Sequence, residues 1–183
     1  MTQEPFVDHL YRPEQLLEML AEADFVVVAL PLTDATTGLM GRDAFAAMKP
    51  SAYFINVSRG AVVQEDALLA ALQAGQLAGA GLDVFMEEPL PADSPFWDLP
   101  NVIITLGADG VQAYEGEKEY TIPGEPVTAV DTTGAGDTFC GALAARLAEH
   151  AGPADALRFA SAASALACTR LGAQTSIPAR PEV

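Results

Sequence analysis

Short apolar runs alternate with helix-length segments through the first hundred residues. Leu16, Leu17 and Leu20 recur at helical spacing behind Pro13-Glu14, and at Asp24 the pattern gives way to the unbroken run Phe25-Val-Val-Val-Ala-Leu30. The pairing of helix and strand returns in residues 43–48 before 52–57, and in residues 65–73, with Gly75 as a stop, before 77–84. Residues 102–105 make a fourth strand. Strands spaced by helix-length segments predict βαβ units and a parallel sheet buried on both faces. After Thr105 the rhythm changes. Residues 111–114, a polar turn at 115–118 and residues 119–122 read as a β-hairpin, and 123–126 as a loop. Two Ala-rich helices close the chain, one over about 135–149 and one from Pro153 to about residue 170, with Gly172 as its stop.

Composition narrows what such a fold can do. The 183 residues carry 9 Lys plus Arg against 25 Asp plus Glu, a net charge of -16. Acidity pervades both halves and excludes a binder of nucleic-acid phosphates or anionic membranes, which needs clustered Lys and Arg. With 50% hydrophobic and 19% charged residues, disorder is excluded as well. Cys140 and Cys168 lie in helix-like surroundings without metal-ligand spacing, so they read as buried free thiols. The uncharged run 67–82 is interrupted by Gln73, Gly75 and Gln76, too early for a membrane span, and Met1-Thr-Gln-Glu-Pro5 has no export pattern. A cytoplasmic protein is the expectation.

Four linked stretches then carry a resemblance: Ala23-Asp-Phe-Val-Val-Val-Ala-Leu-Pro-Leu-Thr33, Phe54-Ile-Asn-Val-Ser-Arg-Gly-Ala-Val-Val63, Gly81-Leu-Asp-Val-Phe85 with Glu88-Pro89, and Leu99-Pro-Asn-Val-Ile-Ile-Thr105. Residues 1–104 resemble the carboxyl-terminal part of the nucleotide-binding domain of the D-2-hydroxyacid dehydrogenases. The resemblance implies that Arg59 holds a substrate carboxylate, for which its planar fork is suited. It further implies that Glu88 orients a histidine acid/base and that Asp83 contacts the nicotinamide carboxamide. Taken alone, Arg59 reads as a solvated loop arginine. The family's histidine follows the Val-Ile-Ile-Thr strand, where this chain has Leu106-Gly107, and neither His9 nor His150 lies near that position in the sequence. The spacing G-x-G-x-x-G fails at Gly79 and Gly81, followed by Val84, and at Gly134 and Gly136, followed by Phe139. NAD(P) is therefore not expected as a cofactor.

Residues 102–183 resemble the carboxyl-terminal part of the ribokinase-like (pfkB) carbohydrate kinases. The carrying residues are Ile103-Ile-Thr-Leu-Gly-Ala-Asp-Gly110, Val130-Asp-Thr-Thr-Gly-Ala-Gly-Asp-Thr-Phe139 and Arg170-Leu-Gly-Ala-Gln-Thr-Ser-Ile-Pro178. Small residues Gly134, Ala135 and Gly136 open a helix whose free N–H groups can face a phosphate, and Asp137 in its first turn can take a proton from an attacking hydroxyl. Equally, this is a glycine-containing cap with a dipole-complementing Asp. The resemblance implies that Thr105, Gly107 and Gly110 line a nucleotide pocket, and that Asp131 and Thr133 help hold a monovalent cation. Gly107 and Gly110 also read as turn glycines.

The two resemblances meet on Asn101-Val-Ile-Ile-Thr105, which satisfies both patterns, and no linker separates them. The expected architecture is a single fused α/β domain over residues 1–183: three layers, a mostly parallel Rossmann-like sheet with helices on both faces, and an appended hairpin. The expected protein is a recombined or designed hybrid without a complete active site. At most it binds ATP or phosphate at Gly134 to Asp137, with Mg and a monovalent cation. Catalysis is not expected of it; if it were active, phosphoryl transfer would rank ahead of hydride transfer, and the rival readings are a carbohydrate kinase and an NAD(P)-dependent D-2-hydroxyacid dehydrogenase. Strands from two parents can leave an apolar face open, which a homodimer would bury.

Overall fold

Pro13, with no N–H to donate, opens a single 3-10 turn that runs into α1 (Leu16–Glu22). The computed structural model describes residues 7–183; the stretch Met1 to Pro5 read for an export signal lies outside the described residues. With α1, three units of helix and strand run in order through β1 (Phe25–Val28), α2 (Arg42–Ala47), β2 (Tyr53–Asn56), α3 (Glu65–Gln73) and β3 (Gly79–Leu82). A long connection containing the 3-10 turn Pro95–Asp98 then reaches β4 (Val102–Thr105). Strands β1 to β4 pair in parallel in chain order. A tight turn returns the chain as β5 (Gly110–Glu115), antiparallel to β4, and β6 (Lys118–Pro123) completes a six-stranded sheet. Gly116, at φ 61, opens the two-residue turn between Glu115 and Lys118. The chain ends in α4 (Ala135–Ala148), α5 (Pro153–Cys168) and a tail that closes with the 3-10 turn Arg180–Glu182.

Two apolar cores lie on opposite faces of this sheet. Alternate strand residues Val26, Val28, Phe54, Ala80, Leu82, Val102 and Ile104 meet α1 to α3 through Leu20, Phe45, Leu68 and Leu72. The other core joins Val111, Ala113 and Ile122 to Phe139 and Leu143 of α4 and Leu157 and Ala160 of α5, with Ile103 packed against it. The structure is therefore the three-layer, mostly parallel α/β fold with an appended hairpin. It departs from expectation at β1 and β2. The apolar run from Phe25 predicted burial on both sides, yet Phe25 is 66% and Val27 57% exposed, because α4 and α5 cover only the β4–β6 end of the second face. Phe25 instead stacks on Tyr53, ring centroids 5.6 Å apart.

This asymmetry separates the costs of two changes in neighbouring strands. Phe54 is fully buried, edge-on to Phe45 at 5.1 Å, so Phe54→Ala should cost about 3–5 kcal/mol. Val27→Thr, on the open face, should stay within about 0.5 kcal/mol of wild type. Urea unfolding of both variants checks the contrast, and equal losses would contradict the layering.

Candidate functional site

Parallel strands that run side by side present their carboxyl ends on one edge of the sheet, where α/β proteins place ligands. The dehydrogenase-like residues all follow such ends: Ser58-Arg59-Gly60 after β2, Asp83 after β3, Thr105 at the end of β4. The turn after β2 is held from within. Asn56, 1% exposed, accepts from the Ser58 N–H at 3.1 Å and the Ser58 hydroxyl at 2.9 Å, and its amide donates to the Arg59 carbonyl at 3.2 Å. Gly60 presses on the backbone of Phe85, where any Cβ would overlap it. The Arg59 side chain remains exposed, its Nη1 donating to the Ser58 carbonyl at 2.6 Å.

Two carboxylates fix the loop that follows β3. Glu88 Oε1 accepts from the Phe85 N–H at 2.9 Å, and Glu65 Oε1, from the first turn of α3, accepts from the Met86 N–H at 2.6 Å. Sequence reasoning named Glu88 but missed Asn56 and Glu65. For Asn56 a signal existed, a polar side chain at a core-facing register of the apolar stretch Tyr53-Phe-Ile-Asn-Val57.

Of the kinase-like residues, Thr105 and Gly136 meet Asp83. Thr105 donates its hydroxyl to Asp83 Oδ1, while the other side of that carboxylate lies over Gly136, in the space a Cβ there would fill. The helix start proposed as an open phosphate cradle is thus covered by the chain's own carboxylate, because Gly136 has no side chain to keep it away. Asp137 points instead toward a cleft of about 230 Å³ between α4, α5 and the tail, whose lining does not include Gly134, Ala135 or Gly136. Ala135 offers its carbonyl to the Ser164 hydroxyl at 3.0 Å. Asp131 accepts from the Thr133 N–H at 2.9 Å and from the Gly172 N–H at 2.9 Å, clasping the loop before α4 to the loop after α5. Those bonds, that from Gly172 foremost, hold its carboxyl below the ordinary range. Gly107 and Gly110, at φ 57 and 103, sit in the β4–β5 turn, and a Cβ on Gly110 would overlap the Ile122 carbonyl. Among the described residues no three His, Cys, Asp or Glu gather as a metal-binding group, and no helix is long and apolar enough to cross a membrane.

Burial raises Asp83 above its ordinary 3.8; the Thr105 hydrogen bond opposes this, and Asp137 and Glu88 add to it. Burial, with Asp83 and Asp137 nearby, likewise pushes the half-buried thiol of Cys140 up to about 12. The folded chain therefore binds the Asp83 proton more tightly than the unfolded chain. Stability falls as the pH rises from the ordinary carboxylate range through the raised Asp83 value, and the loss is complete above it. Asp83→Asn keeps an acceptor for Thr105 and removes the charge. We expect it to melt higher than wild type at neutral pH and to lose that advantage in acid, as read by calorimetry across the range; a lower melting point at neutral pH would contradict this.

Comparison with known proteins gives this geometry its context. A family model for the D-isomer specific 2-hydroxyacid dehydrogenase, NAD binding domain, matches residues 2–106, and one for the pfkB family carbohydrate kinases matches residues 98–180. The matches overlap on β4, as the shared strand pattern implied. Glyoxylate/hydroxypyruvate reductase B of Pectobacterium carotovorum subsp. carotovorum (strain PC1) is 61% identical over 85 residues, 46% of this chain and 27% of that protein. The protein of the same name from Shigella boydii serotype 4 (strain Sb227) is 58% identical over 85 residues, 46% of this chain and 26% of its own. The match thus spans about a quarter of the length of these relatives. Among solved structures, an NADPH-dependent glyoxylate/hydroxypyruvate reductase of Sinorhizobium meliloti in apo form has a TM-score of 0.51 at 37% identity, covering 56% of this chain and 43% of that one. A second from the same organism, in complex with NADP and malonate, has a TM-score of 0.50 at 38% identity, covering 56% and 32%.

These findings correct the expectations for origin, activity and cofactor. Identities of 58% and 61% to natural reductases replace the designed hybrid with residual ATP or phosphate binding by a dehydrogenase segment, and ATP with Mg has no counterpart among these relatives. NAD(P) was set aside because residues 1–183 lack a glycine-rich turn. The matched family is nonetheless an NAD-binding domain, a related structure holds NADP, and the segment is only part of such a protein. The chain belongs to the D-isomer specific 2-hydroxyacid dehydrogenase NAD-binding domain family, joined through β4 to a segment that matches the pfkB family carbohydrate kinases.

Proposed function

We propose that the chain carries part of the active site of an NADP-dependent 2-hydroxyacid dehydrogenase that reduces short 2-oxo acids of the glyoxylate and hydroxypyruvate kind. One observation carries this reading: the Ser58-Arg59-Gly60 turn, locked by Asn56 and by the Phe85 backbone, holds an exposed guanidinium at the carboxyl end of β2. The reductases named above are similar over this part of the chain. Arg59 binds the substrate carboxylate through paired N–H donors and fixes the keto carbon in the crevice. Glu88, held by the Phe85 N–H, stands where it would orient an acid/base histidine, a position that Leu106-Gly107 takes in this chain. Asp83 has the chemistry to accept from the carboxamide N–H of a nicotinamide; in this structure its carboxylate accepts from Thr105 and packs on Gly136. When bound, NADPH would supply a hydride; the residues of this chain would hold the acid and keep the turn rigid. The continuous sheet from β1 to β6 supports treating residues 1–183 as one fused domain.

Oxalate, a non-reducible mimic of a short 2-oxo acid, tests the carboxylate site directly. Arg59→Gln removes a charge-assisted pair of hydrogen bonds worth roughly 1.5–3 kcal/mol, so oxalate should bind about ten- to a hundredfold more weakly. NMR titration of both proteins measures it. Equal oxalate affinity in the two proteins would remove the proposal.

A further inference from the structure

We propose that β1 is a dimerisation edge, where a second copy of this chain pairs antiparallel and continues the sheet. The carbonyls of Asp24 and Val28 accept from the N–H groups of Tyr53 and Val57, at 3.0 and 3.2 Å, and so face β2. By the two-residue repeat of a strand, Phe25 and Val27 turn their N–H and C=O groups the other way, where no strand among the described residues pairs with them. The opposite edge, β6, is blunted by Lys118, Glu119 and Pro123, whereas β1 is Phe-Val-Val-Val throughout. Beside this free backbone, Phe25, Val27 and Tyr53, the last 46% exposed, form an apolar strip on the open face.

The occupant is a second copy because the edge is complementary to itself. Residues directly opposite in an antiparallel pair share a face of the sheet, so outward residues must meet outward residues if the apolar strips are to lie together. With Val26 on the two-fold axis, Phe25 of each copy exchanges both hydrogen bonds with Val27 of the other, and the two strips join on one side of the common sheet. Charge permits the approach. The chain carries a net -16, yet residues 25–33 hold no charged side chain, and Asp24 is paired with Lys49 at 2.8 Å. Area points the same way: the chain exposes 10828 Å², where a compact monomer of 19.1 kDa exposes roughly 8,400 Å², and a standard interface buries about 800 Å² per partner. Because the pairing is antiparallel, the two Arg59 turns lie toward opposite ends of the joined sheet, and neither faces the other.

Sedimentation equilibrium of the full chain tests this. A strip of this size gives a weak interface, with a Kd on the order of micromolar, so the average mass should climb from that of one chain to that of two between about 1 and 100 µM and stop there. Val27→Lys sets a charge in the strip of each copy and should keep the mass at that of one chain throughout, with an unchanged circular dichroism spectrum. Over the same range, amide exchange at Phe25 and Val27 of wild type should slow several-fold. A wild-type chain that is monomeric at every concentration overturns the proposal and leaves the edge to a strand of another protein. Equal dimerisation by a folded Val27→Lys chain overturns it too, as does growth past two copies. Should the variant not fold, exchange at Phe25 and Val27 decides alone, and no slowing there refutes the edge.

Discussion

The two faces of β4 hold the molecule together. Val102 and Ile104 are fully buried against the core of α1 to α3, and Ile103, between them, packs against the core of α4 and α5. A slip of one residue would exchange these faces and send each side chain to the wrong core. The strand is also where the sheet changes direction, parallel to β3 and antiparallel to β5. Parallel neighbours require a crossover and antiparallel ones need only a turn, so helices accompany the strands before β4 and a hairpin follows it.

From that strand the rest of the geometry follows. Because α4 and α5 reach the second face only past β4, the open side of β1 and β2 keeps Phe25, Val27 and Tyr53 at the surface. The same placement sets the start of α4 against the carboxyl ends of β3 and β4. An acid from one sequence tradition and a glycine helix start from another come to share one small volume, with Thr105 between the strands donating to Asp83. The arginine turn after β2 is outside this crowding. Its rigidity comes from Asn56 below and Phe85 alongside.

How much of this was legible depended on the range of the interaction. Helix α3 and strand β4 have the bounds their patterns predict, and α4 and α5 end one and two residues before the expected positions. Those elements are specified by local spacing and stop signals, which a sequence displays directly. The run from Phe25 to Leu30 misled because a continuous apolar stretch cannot say whether both of its faces find a partner. Asn56 was visible only as a polar residue out of place, since its partners are backbone groups that come within reach when the turn closes. The cofactor was misjudged for a related reason: a missing glycine turn describes the residues at hand, whereas the family assignment rests on many residues together.

By itself, the sequence determined the element order, the strands that alternate with helices, the hairpin, the turn glycines and the motif residues Arg59, Asp83, Glu88 and Asp137. These depend on neighbours a few positions away. Tertiary structure alone decided which face each helix covers, that Glu65 secures the loop after β3, and that Asp83 lies over Gly136. Such contacts join residues far apart in the chain, and their geometry is set by sheet order and packing, to which local periodicity carries no reference.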